Sequence, residues 1–310
     1  MSRTRLSAYT APPAEVTRTL DALRAHYEVP TAFPPEALAE AEAAAGAWAQ
    51  DGPARLLADG ARDARDLDLV TIDPPGSMDL DQAVLLERLP AQADHVDQAG
   101  ATAGDAPESE AAYRVHYAIA SLATFVTPGG ALDTELRRRG ETVYAPDAAT
   151  PLHPEVLSHG AASLLQDAER PACLWTIDLD DRGEVVSARV ERALVRSRAR
   201  LTYAQVQAAI DGEGALPQEA PVDLPELLAE IGRLRLEREA ARGGISMTTP
   251  EQVVEVTEAA EVTEPAGDSE SAESAEVPGP AGYRLAYRVP VPAEQYNAQI
   301  SLLTGMCAAR

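Results

Sequence analysis

Three aspartates stand close together in one short stretch of the chain. Asp73 ends the apolar run Leu-Val-Thr-Ile, and Asp79 and Asp81 follow the turn-forming sequence Pro-Pro-Gly-Ser. On an extended segment, residues two apart project to the same side, so Asp79 and Asp81 share a face. Converging carboxylates repel each other unless a cation neutralises them, and hard oxygen ligands favour Mg²⁺ or Mn²⁺. Such a metal site suits hydrolysis of a phosphodiester. The spacing alone is equally compatible with a solvated, aspartate-rich turn.

Other candidate groups give weaker signals. Two sets of arginines could contact phosphate or pair with neighbouring acids: Arg137, Arg138 and Arg139, and Arg192, Arg196, Arg198 and Arg200. His153 and His159 have a spacing that matches no zinc pattern, so we expect them to be core or surface residues.

The segments that must position these residues alternate between strand-like and helical patterns. Apolar runs bounded by turn residues predict strands at 67–72, 83–89, 113–126, 171–180, 184–197 and 283–291. Helical spacing predicts helices within 12–60 and at 131–139, 203–211, 224–242 and 293–310. Strands in the middle with helices on either side indicate an α+β fold.

The charge of the chain is uneven. Its 310 residues include 50 acidic and 26 basic side chains, a formal net charge of -24 that on its face argues against a nucleic-acid partner. Residues 91–112 and 251–281 hold fourteen of the acids and no arginine, and their Ala/Glu/Ser/Pro-rich composition predicts disordered acidic insertions. About -10 remains for the rest of the chain, which no longer excludes RNA.

The chain also lacks signals for a membrane or for export. It has no run of 18 apolar residues, so we expect no membrane span. The basic start is not followed by an apolar stretch, so we expect a cytoplasmic protein. The two cysteines, Cys173 and Cys307, cannot form a disulfide framework.

An ordered series of motifs resembles the RNB domain of the ribonuclease II and ribonuclease R family. The Asp73-x5-Asp79-x-Asp81 motif is followed by YRVHYAIA, PGGALDTELRRRGETVYAPD, TPLHPEVLSHGAASLLQDAERPA, DRGEV and RSRARLTYAQV, and the resemblance runs from about 70 to 310. The family consists of Mg²⁺-dependent exoribonucleases that degrade RNA from the 3′ end and release nucleoside 5′-monophosphates. The resemblance therefore implies an RNB-like catalytic domain with a mixed, largely antiparallel sheet and flanking helices, which hydrolyses single-stranded RNA. It implies no DNA partner.

The resemblance also assigns roles to residues. In the family four aspartates hold the metal and organise the attack on phosphate, and Asp73, Asp79 and Asp81 match the first three. Gln82 takes the fourth position, where an amide oxygen can ligate a metal but brings no charge. Tyr144 matches the tyrosine that packs on the RNA 3′ end, and Tyr203 matches a second one near the scissile nucleotide.

Several departures from the family pattern favour an alternative function. Ser121 and Gln299 stand where the family has an aspartate and a glutamate, and the catalytic arginine of the family has no match. The last helix stops at Arg310, so we expect the C-terminal part of the catalytic domain, which we place at 66–310, to be absent. Residues 1–65 read as a helical segment. The alternative is a catalytically impaired or truncated RNB-like protein that binds RNA without turnover. The sequence does not indicate an oligomeric state.

Overall fold

The chain divides into two units built from segments that are far apart in sequence. The computed structural model of the protein describes residues 6–7, 14–90, 110–246, 250–257 and 282–310. Unit 1 consists of Met1–Pro34, Thr134–His153 and Thr248–Pro290, and unit 2 of Pro35–Asp133, Pro154–Met247 and Val291–Arg310.

The elements are numbered in chain order. The strands of the described residues are β1 (Leu6–Ser7), β2 (Arg62–Ala64), β3 (Val70–Asp73), β4 (Gln82–Arg88), β5 (Tyr113–Ala120), β6 (Val143–Tyr144), β7 (Ala149–Thr150), β8 (Glu169–Leu179), β9 (Val185–Arg196), β10 (Ala199–Thr202), β11 (Glu251–Thr257) and β12 (Gly282–Arg288). The α-helices are α1 (Ala14–His26), α2 (Pro35–Ala58), α3 (Ala131–Arg139), α4 (Tyr203–Ile210), α5 (Leu224–Ala241) and α6 (Pro292–Ala308). A π-helical turn covers Leu157–Ala161.

Unit 2 contains a seven-stranded sheet in the order β10-β3-β4-β5-β8-β9-β2. The pairs at its two ends, β10 with β3 and β2 with β9, are parallel, and the four inner pairs are antiparallel. The expected mixed, largely antiparallel sheet with helices is thus confirmed. Three of the four antiparallel pairs join strands that are consecutive in the chain, β5 and β8 are separated by α3, β6 and β7, and both parallel pairs join strands that are distant in sequence.

Two apolar clusters hold the sheet of unit 2. Alternate residues of the inner strands, such as Val84, Val115 and Ile177, pack with Leu228 of α5 and Leu303 of α6, and all five are almost completely buried. Burying one such side chain contributes about 1.5–3 kcal/mol relative to leaving it in water. A second cluster includes Leu80, Leu85, Leu164 and Leu174. It fixes the loop between β3 and β4, which carries two of the candidate aspartates.

Unit 1 contains two small sheets. Strand β11 pairs with β12 in antiparallel orientation and with β1 in parallel orientation, and β6 and β7 form a separate pair. In the same unit Arg139 is buried, and its guanidinium lies 3.6 Å from the ring centroid of Phe33.

One prediction about the acidic insertions is wrong. The sequence predicts a disordered insertion over 251–281, but its first seven residues form β11 and pair with β12 along their whole length. Pairing of the backbone outweighs the acidic composition there. Residues 258–281 and 91–109 lie outside the described residues.

The segment predicted as helical, 1–65, contains α1 and α2, while its boundary at 65 stays a prediction. No described helix combines the length and apolarity needed to cross a membrane.

Candidate active site

The loop between β3 and β4 presents the aspartates around a buried anchor. Asp73 ends β3 and is half-buried, and Gly76 then turns the chain with φ +81, a conformation that favours glycine. Leu80 is fully buried, its N–H donates to Ser163 Oγ at 3.1 Å, and its carbonyl accepts from Leu164 N–H at 2.8 Å. Because Leu80 points into the core, its neighbours Asp79 and Asp81 are exposed to solvent.

The Tyr117 hydroxyl contacts a residue of the candidate site. Tyr117 is 2% exposed, and its hydroxyl donates a hydrogen bond to Gln82 Oε1. Burial raises the pKa of Tyr117 to about 12, and the side chain of Ser301 in α6 opposes that rise. The negative charges of Asp81 and Asp73, together with Tyr203, also raise the pKa. The phenol therefore contacts Gln82 and lies within electrostatic reach of Asp73, Asp81 and Tyr203.

The position of Tyr203 follows from the pairing of β10 with β3. In this parallel pair Thr202 is in register with Asp73, so the next residue, Tyr203, starts α4 beside the end of β3. Thr202 caps α4: its hydroxyl accepts from the Gln205 N–H, and the Gln205 side chain accepts from the Thr202 N–H at 2.8 Å. Asn297 Nδ2 donates to the Tyr203 hydroxyl at 3.2 Å. The half-buried ring is therefore held at the site from α4 and α6.

The donor set fits Mg²⁺, although it does not form a cage. Among the described residues, no group of three or more His, Cys, Asp or Glu side chains is arranged to hold a metal ion. Mg²⁺ usually takes only one or two carboxylates and completes its shell with water and substrate phosphate. Asp73 ends β3 and Asp81 immediately precedes its antiparallel partner β4, so these two carboxylates lie at the same end of the strand pair and can supply the ligands. The oxygen of Gln82 is already engaged by Tyr117.

The other predicted residues lie in different surroundings. Tyr144 belongs to unit 1, where it ends β6 and is 43% exposed. Arg139 and Arg138 of the predicted basic group both pair with Glu135 at 2.8 Å, so they serve the structure of unit 1. Arg200 is half-buried in unit 2 and lies 3.8 Å from Met78 Sδ, in the aspartate loop. Within the described part of the chain, Arg200 has no ion pair.

Two histidines, His116 and His153, are shielded from solvent to different degrees. His116 is buried, with Nε2 3.0 Å from Glu87 Oε2 and Nδ1 3.3 Å from Thr176 Oγ1. Burial lowers the pKa of His116, and Glu87 works against that decrease. Burial also lowers the pKa of His153.

Sequence reasoning missed Tyr117. The signal was present, because Tyr117 lies in the middle of the apolar strand YRVHYAIA, where a buried hydroxyl needs a hydrogen-bond partner. That partner depends on the pairing of β4 with β5, in which Gln82 faces Ile119. The strand register cannot be read from the local sequence.

Comparison with known proteins identifies the family. The family model of the RNB domain matches residues 61–276, which is more than half of the chain, so the chain belongs to the RNB family. Ribonuclease R of Acidithiobacillus ferrooxidans is 33% identical over 204 residues, covering 66% of this chain and 41% of the relative. Ribonuclease R of Escherichia coli (strain K12) is 32% identical over 195 residues, covering 61% of this chain and 21% of the relative.

A solved structure agrees on the fold. Mycoplasma genitalium RNase R in complex with double-stranded RNA superposes with a TM-score of 0.60 at 21% identity, covering 77% of this chain and 36% of that one. The chain thus spans less than half the length of the ribonuclease R relatives it matches.

Proposed function

We propose that this protein is a metal-dependent hydrolytic exoribonuclease. It degrades single-stranded RNA from the 3′ end and releases nucleoside 5′-monophosphates, as part of RNA degradation in the cytoplasm. The observation that carries the proposal is the placement of Asp73 and Asp81 at the same end of the antiparallel β3–β4 pair, where Tyr203 starts α4 beside Asp73, in a chain of the RNB family. The family supplies the reaction class, and the geometry supplies two carboxylates and an aromatic ring in one place.

The aspartates hold the metal in this proposal. Asp73 and Asp81 are its ligands from the site, and Asp79 contributes from the exposed side of the same loop. A bound Mg²⁺ or Mn²⁺ polarises the phosphoryl oxygen and lowers the pKa of the attacking water. Because the two exposed carboxylates flank the buried Leu80, they can turn toward substrate without disturbing the core.

RNA is held by aromatic rings and by arginine. Tyr203 stacks on the nucleotide at the scissile phosphate, and Tyr144 stacks on the 3′ end. Stacking tolerates any base, which suits an enzyme that removes nucleotides regardless of sequence. Arg200, next to Met78 of the aspartate loop, provides a phosphate contact. The acidity of the chain predicts weak binding, and arginine–phosphate contacts predict that binding weakens further as salt rises.

The second candidate function is RNA binding without turnover. One observation favours it: Gln82 stands at the fourth position of the metal motif, and its oxygen already accepts a hydrogen bond from Tyr117. The site then holds the metal with one negative charge fewer than the family motif provides, which weakens metal affinity.

A turnover assay separates the two functions. The protein is incubated with single-stranded RNA and Mg²⁺ or Mn²⁺, and released mononucleotides are measured by chromatography. The exonuclease proposal expects release that Asp81→Asn abolishes. Asp181→Asn is the matched control, because it makes the same isosteric change at another site. Asp181 lies on an exposed hairpin turn, and its side chain is 81% accessible. RNA binding without release would support the second function, and absence of RNA binding at low salt would contradict both.

A further inference from the structure

The Tyr117 hydroxyl is committed to Gln82. A phenol has one hydrogen to donate, and Tyr117 donates it to Gln82 Oε1. The ring is 2% exposed and packs in the core cluster formed by the inner strands and α4, α5 and α6. Because the ring cannot leave that cluster, the direction in which its hydroxyl reaches Gln82 is fixed.

This bond fixes the orientation of the Gln82 amide. A glutamine side chain has one acceptor oxygen and one donor nitrogen, so holding the oxygen also determines where the nitrogen lies. Gln82 is half-buried at the start of β4 and directly follows Asp81. Within the described residues, its Nε2 has no hydrogen-bond partner. A neutral donor therefore directly follows a candidate metal-binding aspartate in the chain.

We propose that Tyr117 is a positioning residue that makes Gln82 a hydrogen-bond donor to a phosphodiester oxygen of RNA. Gln82 then binds substrate and is not a metal ligand. The inference rests on the proposed function and deepens it, since it assigns a substrate contact within the same site. Charge supports it: an amide donates to a phosphate oxygen, whereas a carboxylate at this position would repel it.

Two binding measurements on the full chain test the inference without turnover. Affinity for a fluorescent single-stranded RNA is measured by anisotropy in EDTA, and affinity for Mn²⁺ alone is measured by calorimetry. Gln82→Ala should lower RNA affinity about tenfold, since a hydrogen bond to a charged group is lost, and should leave Mn²⁺ affinity within about twofold. Tyr117→Phe should lower RNA affinity at least about threefold. Adding it to Gln82→Ala should cause no further loss, because both changes remove one interaction.

Tyr113→Phe is the matched control. Tyr113 is another buried tyrosine of β5, but its hydroxyl donates to Glu230 at 2.6 Å. Its loss should change neither affinity. Should Tyr117→Phe fail to fold, Gln82→Glu keeps the acceptor for Tyr117 and replaces the donor nitrogen with a charged oxygen. That variant should bind RNA at least about tenfold more weakly.

The outcomes separate the inference from the proposed function. Loss of Mn²⁺ affinity in Gln82→Ala with unchanged RNA affinity would make Gln82 a metal ligand and overturn the inference alone. Independent, additive losses in the two single variants would also overturn it, as would undiminished RNA binding by Gln82→Glu. If the unaltered protein binds Mn²⁺ but no RNA at low salt, the proposed function and the inference both fail.

Discussion

The buried guanidinium of Arg139 allows a sharp prediction about stability. Its side chain is 1% accessible, and it makes three hydrogen bonds within unit 1: to Glu135 Oε1 at 2.8 Å, to the Pro151 carbonyl at 3.0 Å and to the Ala32 carbonyl at 2.6 Å. These bonds tie α3 to two loops. From the sequence, this arginine is a candidate phosphate contact. In the structure it holds segments of unit 1 together.

Arg139→Met should destabilise the protein by about 3–5 kcal/mol. The change removes the hydrogen bonds that a charged donor makes to two backbone carbonyls, and each such bond contributes about 1.5–3 kcal/mol. Glu135 keeps a partner in Arg138, at 2.8 Å, so no unpaired charge is left behind. The lost contact with Phe33 adds to the cost.

Urea unfolding followed by far-ultraviolet circular dichroism measures this change. Arg138→Met is the matched control, because Arg138 pairs with the same carboxylate but is 56% accessible, and exposed ion pairs contribute about 0–1 kcal/mol. The two free energies of unfolding should differ by at least about 2 kcal/mol with similar m-values. Equal losses for the two variants would refute the reasoning that burial and the carbonyl contacts decide the cost.

Three further changes test other parts of the structure. Burial lowers the pKa of His116, so the unfolded state takes up the proton first as pH falls below about 6.5. The stability of the unaltered protein should therefore fall more between pH 7 and pH 5 than that of His116→Gln. Thermal melts at each pH measure this difference. Gln82→Asp adds a negative charge beside Asp81 and should tighten Mn²⁺ binding about tenfold by calorimetry, and unchanged affinity would contradict the charge argument. Tyr203→Ala should weaken RNA binding by about 1–3 kcal/mol in anisotropy titrations. Tyr203→Phe keeps the ring and should lose much less binding free energy. Equal losses of binding for the two variants would exclude stacking.

Much of the fold could be predicted from the sequence where the pattern is local. The hairpin of β8 and β9 around Asp-Asp-Arg-Gly and the helices α3, α4 and α5 were expected within a residue or two of their bounds. Each of these elements combines a clear apolar period with a turn or a cap. The family resemblance added the sheet architecture, which the structure and the RNB match confirm.

The rest depends on pairing between distant segments. Strand β10 has four residues in an arginine-rich stretch, and it exists because it pairs with β3, more than a hundred residues away. The acidic composition of Glu251–Thr257 predicted a loop, and the pairing with β12 made it a strand. In the site, the sequence predicted that aspartates converge, but the role of Tyr117 depends on which residue of β4 it meets. Local patterns cannot specify such contacts.

The direction of RNA degradation tests the central claim most directly. Single-stranded RNA carrying a label at its 5′ end, or in a parallel reaction at its 3′ end, is incubated with the protein and Mn²⁺, and the products are resolved by length over time. Attack from the 3′ end predicts early release of the 3′ label as a mononucleotide, while the 5′ label stays on shortening fragments, and Asp81→Asn should stop both changes. Early release of the 5′ label, internal cuts, or full activity in Asp81→Asn would contradict the account.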